Sequence, residues 1–207
     1  MPKIERHGSR GRGDATRLRI TTATADLVAE LGWDGVTTRA VAARAGVNPA
    51  LIHYHFESME ALLRAAVVAA LRSETADASR PFADGSFAAG LSGAIDAVSR
   101  FDPGSPAAIL LIEAMVRAMR DPAIAEAIVE PLQAFRGLVA ARVRAAVTAG
   151  EIAPDVSPEA AGTLIAAALD GLLFQRLVDP STDTEGVHAL LLRLACEPAL
   201  TAQGGPT

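Results

Sequence analysis

The chain has 207 residues, half of them hydrophobic but only 4% aromatic, enough for one sizeable core or two small ones. Its net charge of −5 hides an asymmetry: residues 1–19 hold six Lys or Arg against two acids, while the body beyond residue 64 is acidic, so a polyanion partner is expected at one end only. Alanine dominates the apolar share and β-branched runs are few, which points to helices. The single cysteine, Cys196, excludes an intrachain disulfide and a multi-cysteine metal site. Arg, Glu or Asp interrupts each apolar stretch before the roughly 18 residues of a membrane span, and the N-terminus lacks a secretory core. A cytoplasmic protein with no membrane partner is expected.

In chain order, "GSRGRGD" from Gly8 to Asp14 reads as part of a flexible basic arm, residues 1–13. No strand precedes its G-x-G, so it is not a nucleotide loop. Asp14 is positioned to cap a helix in which Ile20, Ala23, Leu27, Val28 and Leu31 recur at helical spacing and which Gly32 ends. Trp33 in "WDGV" covers a small core. Thr37 or Thr38 caps a second helix ending near Ala45. Asn48 caps a third, with Pro49 at its first position, and Ser58 caps a long fourth helix to about Ala78. Further helices are expected over 86–100, 105–119, 122–129, 131–149, 157–178 and 184–196, separated by Pro- and Gly-bearing breakers. Residues 201–207 form an unstructured tail.

Counting from Thr38, Ala42 is fifth, Gly46 ninth, Val47 tenth and Ile52 fifteenth. Two steeply crossing helices need a small residue at the fifth place, glycine in the turn, and aliphatic residues at the other two to fill the shared core. This is a helix-turn-helix. With Val47 and Ile52 inward, Asn48, Pro49, Ala50, His53 and Tyr54 point outward on one side. An α-helix fits the DNA major groove, where Asn and His can bond base edges, Pro49 and Ala50 can touch a thymine methyl, and Tyr can bond a phosphate. Thr37 and Thr38, with the free N–H groups of their helix, can hold a phosphate, and Arg39 can reach a phosphate or guanine. His53 and His55 point about 200° apart and cannot share a metal ion. No H-E-x-x-H, G-x-S-x-G, P-loop or carboxylate–histidine repeat occurs, so no enzyme, metal or cofactor is expected. A helical protein–protein module without DNA binding is the competing class, ahead of a helical-bundle enzyme.

"RITTATADLVAELGWDGVTTRAVAARAGVNPALIHYHFESMEALL", within residues 15–64, resembles the tetracycline-repressor (TetR) family of transcriptional regulators. "AALDGLLFQRLVDP" is similar, more loosely, to that family's penultimate helix. The resemblance implies an all-α fold. An N-terminal three-helix DNA-binding domain, residues 14–58, is joined by a long fourth helix to a helical ligand-binding and dimerisation domain, residues 59–200. It implies a homodimer that binds a near-palindromic double-stranded operator, usually as a repressor, and is released by a small apolar effector. The family's DNA contacts map onto Thr38, Arg39, Asn48, Pro49, Ala50, His53 and Tyr54. Two positions depart from the pattern: His53 stands where Tyr is usual, and Met59 where a Lys often starts the fourth helix. The latter removes one phosphate contact and should flatten the salt dependence by about one charge.

The last two helices are the expected dimer contact. Small residues such as Gly162, Ala166, Ala167, Ala168 and Gly171 leave room for close approach, while Leu164, Leu172, Leu190 and Leu194 supply apolar area. For the effector pocket, Phe101, Met115, Met119, Phe135 and Phe174 are the candidates. Glu113 and Arg117 are spaced for an i, i+4 ion pair.

Overall fold

A computed structural model describes residues 7–83 and 86–196. The first six residues and the tail expected over 201–207 lie outside the described residues, as do the side chains of Arg10, Arg12, Leu194 and Cys196. The elements are α1 (His7–Leu31), a 3₁₀ turn (Trp33–Gly35), α2 (Thr38–Ala45), α3 (Pro49–His55), α4 (Met59–Ser79), a second 3₁₀ turn (Arg80–Phe82), α5 (Phe87–Arg100), α6 (Pro106–Ala118), α7 (Pro122–Thr148), α8 (Pro158–Val178) and α9 (Thr184–Cys196). No strand occurs among the described residues.

Most starts are set by a short polar side chain that accepts from a first-turn amide, which satisfies one of the helix's orphan donors. Thr37 accepts from Ala40 N–H, Asn48 from Ala50, Ser58 from Ala61, Ser86 from Ala89, Ser105 from Ala108 and Ser157 from Ala160. Pro49, Pro106 and Pro158 occupy first-turn positions, where the missing N–H costs nothing.

Two elements differ from expectation. Helix α1 begins at His7, seven residues before Asp14, so residues 7–13 are helix rather than arm. A Cβ added at Gly11 or Gly13 would meet open space, so this extension rests on backbone hydrogen bonds and not on packing at those glycines. The two helices expected over 122–129 and 131–149 are one, α7, with Pro131 inside it. Proline removes one rung of the ladder, and the apolar stripe continues past it: Ile124 joins one core while Phe135, Val139 and Val143 join the other.

The chain divides into two compact units. The first comprises Met1–Ser73 and Gly104–Val129; the second comprises Glu74–Pro103 and Glu130–Thr207. The division differs from a single boundary near residue 58, because α6 belongs with the helix-turn-helix. Its Leu110 and Ala114 are buried in the same core as Ile20, Val28, Trp33, Val41, Ile52 and Leu62. Burial of each Leu, Ile or Val here contributes about 1.5–3 kcal/mol relative to exposure. The second core gathers Phe82, Phe87, Leu91, Ile95, Val139, Leu169 and Leu172. There α8 approaches α7 closely at Gly162, where an added Cβ would stand 2.6 Å from the Arg136 carbonyl oxygen.

By length and mean hydropathy, 1.4 over its best window, α8 is also the one described helix that meets the membrane-span criterion. Asp170 and Arg176 fall within the helix.

Candidate nucleic-acid interface

The two helices of the motif are fixed by the positions counted in the sequence. Val41, Ala42 and Ala45 on α2 and Ile52 on α3 are buried, and Val47 packs against them. Gly46 takes φ 63° and ψ 41°, the left-handed region that disfavours a side chain. Its geometry lets Val47 N–H reach the Ala42 carbonyl at 3.0 Å and close the end of α2.

What remains outside is the predicted edge. Arg39, Asn48, Pro49, Ala50, His53 and Tyr54 are exposed, Tyr54 at 81%. Thr37 is exposed and serves as the cap of α2; Thr38, its first helical residue, is half-buried. Asn48 has a second duty, because its Oδ1 accepts the Ala50 N–H at 2.9 Å. The cap engages that oxygen and leaves the Nδ2 amide as the group without a hydrogen bond among the described residues. Hydrogen-bond donation to a base or phosphate suits it better than a bidentate contact with adenine.

Two cations counted in the basic excess of residues 1–19 turn out to be structural clamps. Arg19 donates to the Ala45 carbonyl and, at 3.1 Å, to the Gly46 carbonyl, the end of α2 and its turn. Arg17 donates to the His55 carbonyl at 3.2 Å, the last residue of α3, and its guanidinium lies 4.5 Å from the Phe56 ring centroid. Two residues on α1 therefore hold the C-terminal ends of both motif helices, where orphan carbonyls and the negative dipole end favour a cation. Arg44 is likewise engaged, with a two-pronged bond to Glu30 at 2.9 and 2.6 Å. That bond holds the Glu30 carboxyl below its ordinary range. Neither the clamps nor the Arg44–Glu30 pair was legible in the sequence, since no periodicity links α1 to α2 and α3.

The second unit presents a different kind of surface. On α8, Leu164 is 70% exposed, Phe174 61% and Val178 70%, with Ala167 and Gly171 exposed between them, and Leu190 of α9 is exposed as well. Leu172 does not share this face: it is 6% exposed and belongs to the second core, and Ala168 is half-buried. The period of α8 separates them, because positions 164, 167, 171 and 174 follow one stripe and 169 and 172 another. Gly162 and Ala166 are similarly used inside the unit. Phe174, also a pocket candidate, lies on this exposed stripe. Phe135 is buried in the second core, Phe101 is half-buried at the end of α5, and Met115 and Met119 are exposed on α6 in the first unit. Met115 and Met119 lie in the first unit and Phe101, Phe135 and Phe174 in the second. Glu113 and Arg117 do not pair with each other. Glu113 accepts the Trp33 N–H at 3.1 Å, and Arg117 pairs with Asp34 at 2.7 Å while standing 5.0 Å from the Trp33 ring centroid.

Among known proteins, residues 20–66 match the family model described as bacterial regulatory proteins, tetR family, and residues 87–196 match that of the BetI-type transcriptional repressor, C-terminal. The HTH-type transcriptional regulator UidR of Escherichia coli strain K12 is 27% identical over 180 residues, covering 85% of this chain and 91% of that protein. The structure of Salmonella enterica GusR is similar with a TM-score of 0.71 at 26% identity, covering 86% of this chain and 94% of that one. The multidrug binding protein EbrR, solved with imidazole, gives a TM-score of 0.61 at 27% identity over 89% of this chain and 97% of its own.

Proposed function

The chain belongs to the TetR family of bacterial regulatory proteins, and on that footing we propose that this DNA-binding regulator is a homodimeric repressor, released from a near-palindromic operator by a small apolar effector. One observation carries the choice of DNA-reading residues. The face of the motif opposite the buried Val41, Ala42, Ala45 and Ile52 consists of Arg39, Asn48, Pro49, Ala50, His53 and Tyr54, all exposed. An exposed row on a helix narrow enough for the major groove suits direct contact with base edges. His53 and Arg39 are assigned to bases; Asn48 donates through its amide; Pro49 and Ala50 make apolar contacts; Tyr54, with Thr37 and Thr38, holds the backbone.

Dimerisation is supported by the outward stripe of Leu164, Ala167, Gly171 and Phe174 on α8 with Leu190 on α9. A row of large apolar side chains left in water is the mark of an association surface. A two-fold pair presents two α3 helices, which suits half-sites about one DNA turn apart. The effector is assigned to the C-terminal helices; EbrR, similar over nearly its whole length, is described as a drug-binding protein. Effector binding acts by favouring a dimer geometry that no longer fits both half-sites.

A gel shift with DNA taken from immediately upstream of the protein's own gene, at 100 mM salt, tests the assignment. Arg39→Ala and His53→Ala should each weaken specific binding by about 1–3 kcal/mol and relax base preference at one position of each half-site. Equal affinity and equal preference in both variants would remove these two residues from the base-reading set.

A further inference from the structure

A cavity of about 730 Å³ opens within the first unit, between the Trp33–Gly35 turn, the first turns of α4, the C-terminal half of α6 and the start of α7. Its size falls in the range of small-molecule sites, about 300–1,000 Å³. The floor is apolar, formed by Trp33, Val36, Leu63 and Ile124, each nearly closed to solvent. The α6 wall is apolar too, but in water: Ile112 is 36% exposed and Val116 63%. An apolar wall facing solvent over an apolar floor gains by being covered.

Four acids and three arginines line the same cavity, and their contacts within the chain differ. Glu113 accepts the Trp33 N–H, and Asp34 pairs with Arg117. Asp121 caps α7, accepting from the Ala123 N–H at 2.9 Å. Glu60 takes hydrogen bonds from its own backbone and from Ser58, which hold its carboxyl below the ordinary range; Arg64 one turn on adds a smaller pull. Glu60 and Asp121 both stand at helix N-termini, whose positive dipole ends offset their charge. Each acid is thus already served by a donor of the chain. The arginines are not all spent: among the described residues, neither Arg64, half-buried, nor Arg120, exposed, forms an ion pair. Arg64 and Arg120 are therefore the cationic donors of the cavity that no carboxylate pairs, and they stand beside an apolar floor.

We propose that this cavity binds an apolar organic monoanion: a hydrocarbon or aryl body laid against Trp33, Leu63 and Val116, with its carboxylate received by Arg64 and Arg120. A guanidinium suits this task because its fork matches the two carboxylate oxygens. A neutral ligand would leave these two guanidinium groups without an acceptor. The site lies in the first unit, and none of its lining residues is among the effector-pocket candidates Phe101, Met115, Met119, Phe135 and Phe174.

Trp33 is the only tryptophan, so its emission reports on this cavity alone. The test titrates the full chain, without DNA, with 4-cyclohexylbutyrate and with its neutral amide, 4-cyclohexylbutyramide, and follows Trp33 emission. The acid should give a saturable change and bind about tenfold or more tightly than the amide, the value of a charge-assisted pair over a neutral contact. Arg64→Gln combined with Arg120→Gln should weaken the acid by about tenfold or more and leave the amide unchanged. Arg120→Gln alone, at an exposed position where folding is not at issue, should weaken the acid about threefold to tenfold. A saturable response to neither compound, equal affinity for both, or an acid affinity indifferent to Arg120→Gln would each overturn the proposal. Because no DNA is present, failure here leaves the operator assignment standing, and failure to shift DNA leaves this site standing.

Discussion

Arg19→Ala removes the two hydrogen bonds that close the end of α2, those to the Ala45 and Gly46 carbonyls. Both acceptors lie beyond the last regular rung of the helix, so among the described residues only the guanidinium serves them. A net hydrogen bond is worth about 0.5–1.5 kcal/mol, and one from a charged donor at a partly exposed site falls in the same span. Two such bonds give about 1–3 kcal/mol of hold on the turn that aims α3. If the turn must be ordered for specific binding, that loss corresponds to about fivefold to 150-fold weaker operator affinity. The assay is equilibrium binding to operator and to unrelated DNA across a salt series. A clamp and a phosphate contact separate cleanly there. Loss of a phosphate contact lowers the slope of log affinity against log salt by about 0.9 and weakens all sequences alike. Loss of the clamp should leave the slope within error and weaken the operator more than unrelated DNA. Arg19→Lys sharpens the contrast, because an ammonium keeps the charge but cannot fork across two carbonyls. If Arg19→Lys binds operator like the wild type, or Arg19→Ala flattens the salt slope with specificity intact, the clamp has no part in aiming α3.

Three more outcomes follow from the packing and the charges. Ile52→Ala empties a fully enclosed position in the first core and should cost about 2–5 kcal/mol, read as a fall in the thermal midpoint with loss of operator binding. Phe174→Asp places a charge on the outward stripe of α8 and should shift the protein toward monomer in analytical ultracentrifugation, with helix content unchanged; Leu172→Asp, at a buried site, should instead unfold the second unit. The Arg44–Glu30 pair gives a pH dependence of definite sign. Because the folded carboxyl titrates below its unfolded value, the pair's contribution is complete above the unfolded value and disappears as pH falls through the depressed folded one. Glu30→Gln should remove that acid-limb component from a stability-versus-pH curve, and an unchanged curve would rule the pair out.

The sequence rules that worked here are local. A cap and the amide it serves are two or three residues apart, so Thr37, Asn48 and Ser58 could be placed from spacing alone, and the fifth, ninth, tenth and fifteenth positions of the motif rest on the same short range. Pro131 misled because a helix tolerates one missing rung when apolar residues on both sides of it are buried. Arg17 and Arg19 misled for a different reason. Their charge is visible in a sequence, but the carbonyls that receive it stand 26 to 38 residues away and carry no sequence mark. The α8 stripe shows a third limit: periodicity separates Leu164 from Leu172 but does not say which row meets the chain's own core. The Glu113–Arg117 spacing is a fourth, since both side chains found partners on the Trp33–Gly35 turn instead of each other.

Helix α7 changes compact unit between Val129 and Glu130, and its interior proline, Pro131, follows immediately. An imino nitrogen has no hydrogen to give to the carbonyl four residues back, so the rod is notched beside that seam. Bending stiffness along a helix is set by its rungs, and flexure gathers where one is missing. With that rung missing, residues 127–131 are the stretch of α7 that bends most easily.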